Sequence, residues 1–134
     1  MYEIKNLTKT QVSDIENKLE EYDNKFLPKP LDGFVQIGAF DNGKLIGGVD
    51  ACMTSFRILY VSTVFVDEEY RRKGVGKLLM EQLEQRAKEL GADMIRLDTF
   101  DWQGREFYKS IGFKEVGRYD TEEFSEHFYL KIIQ

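Results

Sequence analysis

Four cations and two glycines fall within seven residues, Arg71-Arg72-Lys73-Gly74-Val75-Gly76-Lys77, in a chain of 134 residues with a net charge of −5. The stretch before them, Ile58 to Val66, is apolar and rich in β-branched and aromatic residues, which reads as a strand. After them, Val75, Leu79, Leu83, Ala87 and Leu90 recur at spacings of four and three, the stripe of a helix with one buried face. Glu84 stands four residues before Lys88, and Gly91 follows the last turn; both suit a helix that stops there. A strand therefore runs through a basic glycine turn straight into a helix. The first-turn amides of such a helix lack intrahelical acceptors, and the helix dipole gives them partial positive charge. Gly74 and Gly76 let an anion approach the backbone, and Arg71, Arg72, Lys73 and Lys77 add donors around it. The chemistry expected here is phosphate binding.

Spacing decides which phosphate ligand. A P-loop needs a glycine where Arg71 stands and a Ser or Thr where Leu78 stands, so the magnesium ligand of a nucleotide hydrolase is missing. The dinucleotide pattern needs a third glycine where the chain has Leu79. What remains is Arg71-x-x-Gly74-x-Gly76, which resembles the pyrophosphate signature of the GNAT superfamily of acyl-CoA-dependent N-acyltransferases. A second stretch agrees: Asp101-Trp102-Gln103-Gly104-Arg105-Glu106-Phe107-Tyr108-Lys109-Ser110-Ile111-Gly112-Phe113. It looks like that family's second motif, with Phe107-Tyr108, Gly112 and Phe113 matching outright. Asp101 stands where the family usually has asparagine, and Gly104 where it has alanine.

The resemblance implies a small bacterial-type member with a mixed α/β fold of about six to seven strands, ordered β-α-β-β-β-α-β-α-β-β, over one domain spanning residues 1–134. Acetyl-CoA would be the acyl donor. Its pyrophosphate would lie on residues 71–77, and its pantetheine amides would pair with the backbone of Val64, Phe65 and Val66 where the fourth and fifth strands of that order diverge. A primary amine would attack the thioester directly, with Tyr108 protonating the departing thiolate. Asp98 is the nearest candidate base, with Asp50 behind it. Asp101 is a candidate cofactor contact, although capping a short helix over Gln103 to Ser110 also explains it. The alternative is a CoA-binding or sensing module without catalysis.

The remaining elements must position these groups. Tyr2 to Asn6 reads as a first strand. Leu7-Thr8-Lys9-Thr10-Gln11-Val12 carries a capping box with a flanking hydrophobic staple, and Val12, Ile15, Leu19, Tyr22 and Phe26 continue the stripe toward Pro28 and Pro30. Phe34 to Phe40 and Lys44 to Cys52 form a hairpin across Asn42-Gly43. Met94 to Thr99 is a strand with Ile95, Leu97 and Thr99 on one face. Phe113 to Tyr119 and Glu126 to Ile133 are the last two strands.

Composition narrows the class further. Hydrophobic residues make up 42% and charged residues 32%, ordinary for a globular protein. No run approaches a membrane span, and no signal peptide is seen. The single cysteine, Cys52, precludes an internal disulfide and suits a reducing, cytoplasmic setting; a lone strand cysteine is expected to be buried and inert. One histidine, His127, and one cysteine make no metal cluster, and His127 is expected to be structural. An acidic balance argues against nucleic acid as a partner. A small amine or peptide is the expected acceptor, and the chain a monomer or homodimer.

Overall fold

The computed structural model describes residues 1–27 and 32–134. In chain order its elements are α1 (Lys9–Asp23), β1 (Phe34–Asp41), β2 (Lys44–Met53), β3 (Ile58–Val66), α2 (Val75–Glu89), β4 (Met94–Phe100), α3 (Arg105–Ser110), β5 (Lys114–Asp120) and β6 (Ser125–Ile132). The six strands form one mixed sheet in the order β1-β2-β3-β4-β6-β5. Only β3 and β4 run parallel, because α2 crosses over between them. The β1–β2 hairpin turns on Asn42 and Gly43, with φ of 47° and 85°, the pair of positive angles that a two-residue hairpin loop needs.

The core lies on one side of the sheet. Leu79, Met80, Leu83 and Ala87 of α2 are buried against Val35, Val49, Ala51, Leu59, Val61, Ile95 and Leu97 of the strands. Each large side chain buried there stabilises the fold by about 1.5–3 kcal/mol. Thr99, Tyr108, Phe113, His127 and Tyr129 extend the same layer. The opposite face carries Phe34, Gln36, Phe40, Asp50, Cys52, Tyr60, Arg96 and Asp98, since side chains alternate along each strand. Among the described residues no helix covers it.

Three expectations fail. The strand over Tyr2 to Asn6 does not form: these residues are exposed and lack regular structure. Alternating Tyr2 and Ile4 suit a strand, but a strand exists only beside a partner, and the free edge of β1 is not met by them. The order is therefore α-β-β-β-α-β-α-β-β. Cys52 is exposed rather than buried, because it points to the uncovered face. The short helix begins at Arg105, not Gln103, with Gly104 as its cap, so Asp101 does not cap it. The prolines expected to end α1 lie outside the described residues, and α1 itself buries none of its side chains.

Candidate active site

The basic glycine turn at 71–77, the candidate phosphate cradle, leads directly into α2. Gly74 caps α2 at φ 85° with no side-chain hydrogen bond, and Leu78 N–H is the first to bond back, to Gly74 O at 3.1 Å. Nothing among the described residues accepts from the amides of Val75, Gly76 and Lys77. A Cβ built on Gly74 would meet nothing within 4 Å, so the approach to these amides is open. Residue 74 must be glycine for its backbone angle rather than for lack of space. Gly76 serves differently: a Cβ there would lie 3.2 Å from the Phe107 ring. Its bareness lets the start of α3 lean on the start of α2.

The cations divide into two sets. Arg71 folds back, its Nε donating to Val66 O at 2.8 Å and its guanidinium lying 5.2 Å from the Phe65 ring. Arg71 thus ties the end of β3 to the turn. Arg72 takes φ of 62°, and Lys73 lies over the Tyr70 ring at 5.7 Å. Lys77 lines a cleft of about 330 Å³ between α2 and α3, with Glu81, Ser110 and Ile111 among its other walls.

Beside the cradle the sheet splits. β3 and β4 pair only at Ile58–Val61 with Met94–Leu97. Beyond that, β3 stays with β2 as far as Val66, while β4 stays with β6 as far as Phe100. The register of β2 against β3 shifts where Ser62 has no partner, a bulge that bends the strand. Val64, Phe65 and Val66 thus line a slot with one backbone edge unpaired.

Tyr108 stands on α3. Its ring is buried (8% exposed) against Phe113 at 5.8 Å and Tyr129 at 6.2 Å. Burial pushes its phenol up to about 12. The hydroxyl has no protein partner among the described residues, yet is not sealed from solvent.

Asp98 lies on the uncovered face of β4 and accepts a hydrogen bond from Tyr60 Oη at 3.1 Å. Burial and that carboxylate together raise the Tyr60 phenol. Arg96 stacks over the same ring at 4.6 Å. Asp50 accepts from Gln36 at 3.1 Å, and Glu126 binds the Tyr119 hydroxyl. Tyr60 was not singled out in the sequence; two residues before the bulge and facing β4, it is legible only once the register is known.

Asp101 is fully engaged by the protein. One oxygen accepts from Ser125 N–H at 2.6 Å and the other faces His127 Nε2 at 2.8 Å. The hydrogen bond from His127, then that from Ser125, holds its carboxyl below the usual range. The second nitrogen of His127 faces Glu115, whose carboxyl is lowered by the same histidine. Both ring nitrogens can donate at once only in the protonated ring. Asp101 therefore fastens the turn before α3 to β6. Trp102 stacks on Phe100 at 4.9 Å and stays exposed. Among the described residues no group of three or more His, Cys, Asp or Glu side chains is arranged to hold a metal ion.

The model of the acetyltransferase (GNAT) family matches residues 1–113. The chain belongs to the GNAT acetyltransferase family. A crystal structure of an acetyltransferase from Bacillus cereus is 32% identical, with a TM-score of 0.89 over 98% of this chain and 97% of that one. A protein from Bacillus anthracis described as a streptothricin acetyltransferase, crystallised with acetyl coenzyme A, is 25% identical over 81% of this chain and 66% of that one, with a TM-score of 0.68. The bovine thialysine N-epsilon-acetyltransferase is 29% identical over 62 residues, 45% of this chain and 36% of that enzyme. The match thus spans about a third of that curated relative. Among the described residues no helix of this GNAT chain is long and apolar enough to cross a membrane.

Proposed function

We propose that this GNAT protein transfers an acetyl group from acetyl-CoA to a primary amine of a small cationic molecule. One observation carries the reading: the slot between β3 and β4 opens beside the uncapped first turn of α2. The amides of Val75, Gly76 and Lys77, with Arg72 and Lys73 nearby, would hold the donor's pyrophosphate. The unpaired backbone of Val64, Phe65 and Val66 would take its amide-bearing arm as an added strand.

In this reading Asp98, steadied by Tyr60, accepts the proton that the amine must lose before it attacks. Tyr108 donates to the departing thiolate. A phenol near 12 keeps its proton at neutral pH, as an acid must. Against a thiol of about 8.5 the transfer is uphill by roughly 5 kcal/mol in a water-like reference. The burial that raises Tyr108 would also raise a thiolate leaving beside it, which shrinks that gap.

The acceptor's charge follows from the uncovered face. Asp50, Asp98 and Glu126 offer three carboxylates there, and Arg96 is committed to the Tyr60 ring. The names of two relatives, a thialysine and a streptothricin acetyltransferase, are consistent with a basic amine. Thiol release from acetyl-CoA, screened with lysine, ornithine, polyamines, aminoglycosides, streptothricin and peptides, tests the proposal. Turnover is expected with small dibasic amines and should fall steeply in Asp98→Asn. CoA-induced stabilisation without turnover on any amine would instead identify a binding module.

A further inference from the structure

Residues 1–27 form an arm that the rest of the chain leaves uncovered. Tyr2, Ile4, Leu7, Val12, Ile15, Leu19, Tyr22 and Phe26 are all exposed, although α1 is fully formed and its capping box is closed on both sides. Among the described residues, two features of the body lack partners in the same way. The outer edge of β1, Phe34–Asp41, ends the sheet with a row of free backbone groups. Beside it runs a groove between β1 and α2 with an apolar floor of Ile37, Ala39, Val75 and Leu78 and with Gln36, Gln82 and Arg86 also lining it. Leu78 is 64% exposed, and no carboxylate lines the groove.

We propose that the arm of one copy docks on the β1 edge of a second copy, with Tyr2–Asn6 adding a seventh strand and α1 following it onto the body. A strand added to a free edge gains its ladder from backbone alone, and long open edges are ordinarily covered. Tyr2 and Ile4 alternate with Glu3 and Lys5, so one face of the added strand is apolar and matches the groove. The area suffices for a stable pair. Tyr2, Tyr22 and Phe26 bring about 150–250 Å² each when buried. At exposures of 97%, 58% and 69%, two exchanged arms supply roughly 700–1,100 Å² from these rings alone, and the body surface they cover adds a comparable area toward the roughly 1,600 Å² of a standard interface.

The occupant is a second copy rather than the arm's own body because the arm stands off in this structure, and the Bacillus cereus structure has its arm in the same place relative to the body. Residues 1–27 are a fifth of the chain, and a TM-score of 0.89 over 98% of it leaves no room for a fifth placed elsewhere. Exchange of identical elements covers both copies at once.

Light scattering on the full chain over a hundredfold range of concentration should give a dimer, and a monomer throughout would overturn the proposal. Ile4→Asp and Leu19→Asp should each shift the mass to monomer with helix content unchanged; a dimer that survives both would refute the arm's part in it. Partner and self are separated in a Cys52→Ser background. A tagged chain carrying Ile4→Cys and an untagged chain carrying Leu78→Cys are mixed, refolded and treated with a short bis-maleimide. A covalent heterodimer is expected. Linkage only within one chain, in the double variant Ile4→Cys/Leu78→Cys, would show the arm folding onto its own body and defeat the proposal. CoA-induced stabilisation, measured alongside, reports the donor site separately from the dimer.

Discussion

Replacing Tyr108 with Phe isolates one atom. The ring keeps its contacts with Phe107, Phe113 and Tyr129, and the hydroxyl has no protein partner to abandon among the described residues. Folding stability should therefore change by no more than about 0.5–1 kcal/mol, the ordinary net value of a hydrogen bond. Catalysis should change far more. A positioned general acid contributes roughly 10²–10⁴-fold, which is about 2.7–5.4 kcal/mol of barrier. Steady-state thiol release would show kcat reduced by at least about a hundredfold, with the acceptor KM little altered and the CoA-induced rise in Tm retained. Because burial holds the phenol near 12, the wild-type kcat should also show no decline from Tyr108 ionisation below about pH 10. A kcat within a few-fold of wild type would remove Tyr108 from the chemistry. An equal loss of Tm and of rate would mean that the ring, not its oxygen, had been disturbed.

Gly74→Ala should cost about 1–2 kcal/mol, the penalty of left-handed backbone for a residue with a Cβ, because the space around it is open; Gly74→Glu should in addition abolish the CoA-induced shift in Tm. Gly76→Val should destabilise by about 1–3 kcal/mol through overpacking against Phe107, read by chemical denaturation. Acid unfolding should depend on His127. Asp101 and Glu115 have folded pKa values lowered by it, so they contribute stability above their unfolded values near 4 that is lost as pH falls through the folded ones. The drop in Tm between pH 7 and pH 3 should accordingly be smaller in His127→Gln than in wild type.

What the chain reveals by pattern alone, and what it conceals, follows from range. The cradle, the hairpin at Asn42-Gly43 and the cap at Thr8 are each written within eight residues, so local spacing suffices to find them. The alternation of β4 correctly separates Ile95, Leu97 and Thr99 from Arg96 and Asp98. The cluster of His127, Asp101 and Glu115 joins three elements far apart in sequence, and only the pairing of β6 with both β4 and β5 brings them together. Tyr60 meets Asp98 for the same reason, through the short parallel seam. The stripe on α1 was legible as amphipathic, yet periodicity says only that a face wants cover, not what supplies it. Tyr2 to Asn6 failed as a strand for the matching reason: alternation states a capacity for pairing, and pairing needs a neighbour.

The seam itself has a consequence for evolution within this architecture. Four rungs connect two otherwise separate blades, one bearing the anion grip and the other bearing Asp98. Lengthening the seam by a single rung would narrow the mouth that, on the proposed reading, admits the thioester arm. Shortening it would leave the blades joined mainly through α2 and the packed interior. On that reading, tolerance for bulkier acyl groups would depend on how far two ribbons are allowed to close, a property that no single side chain holds.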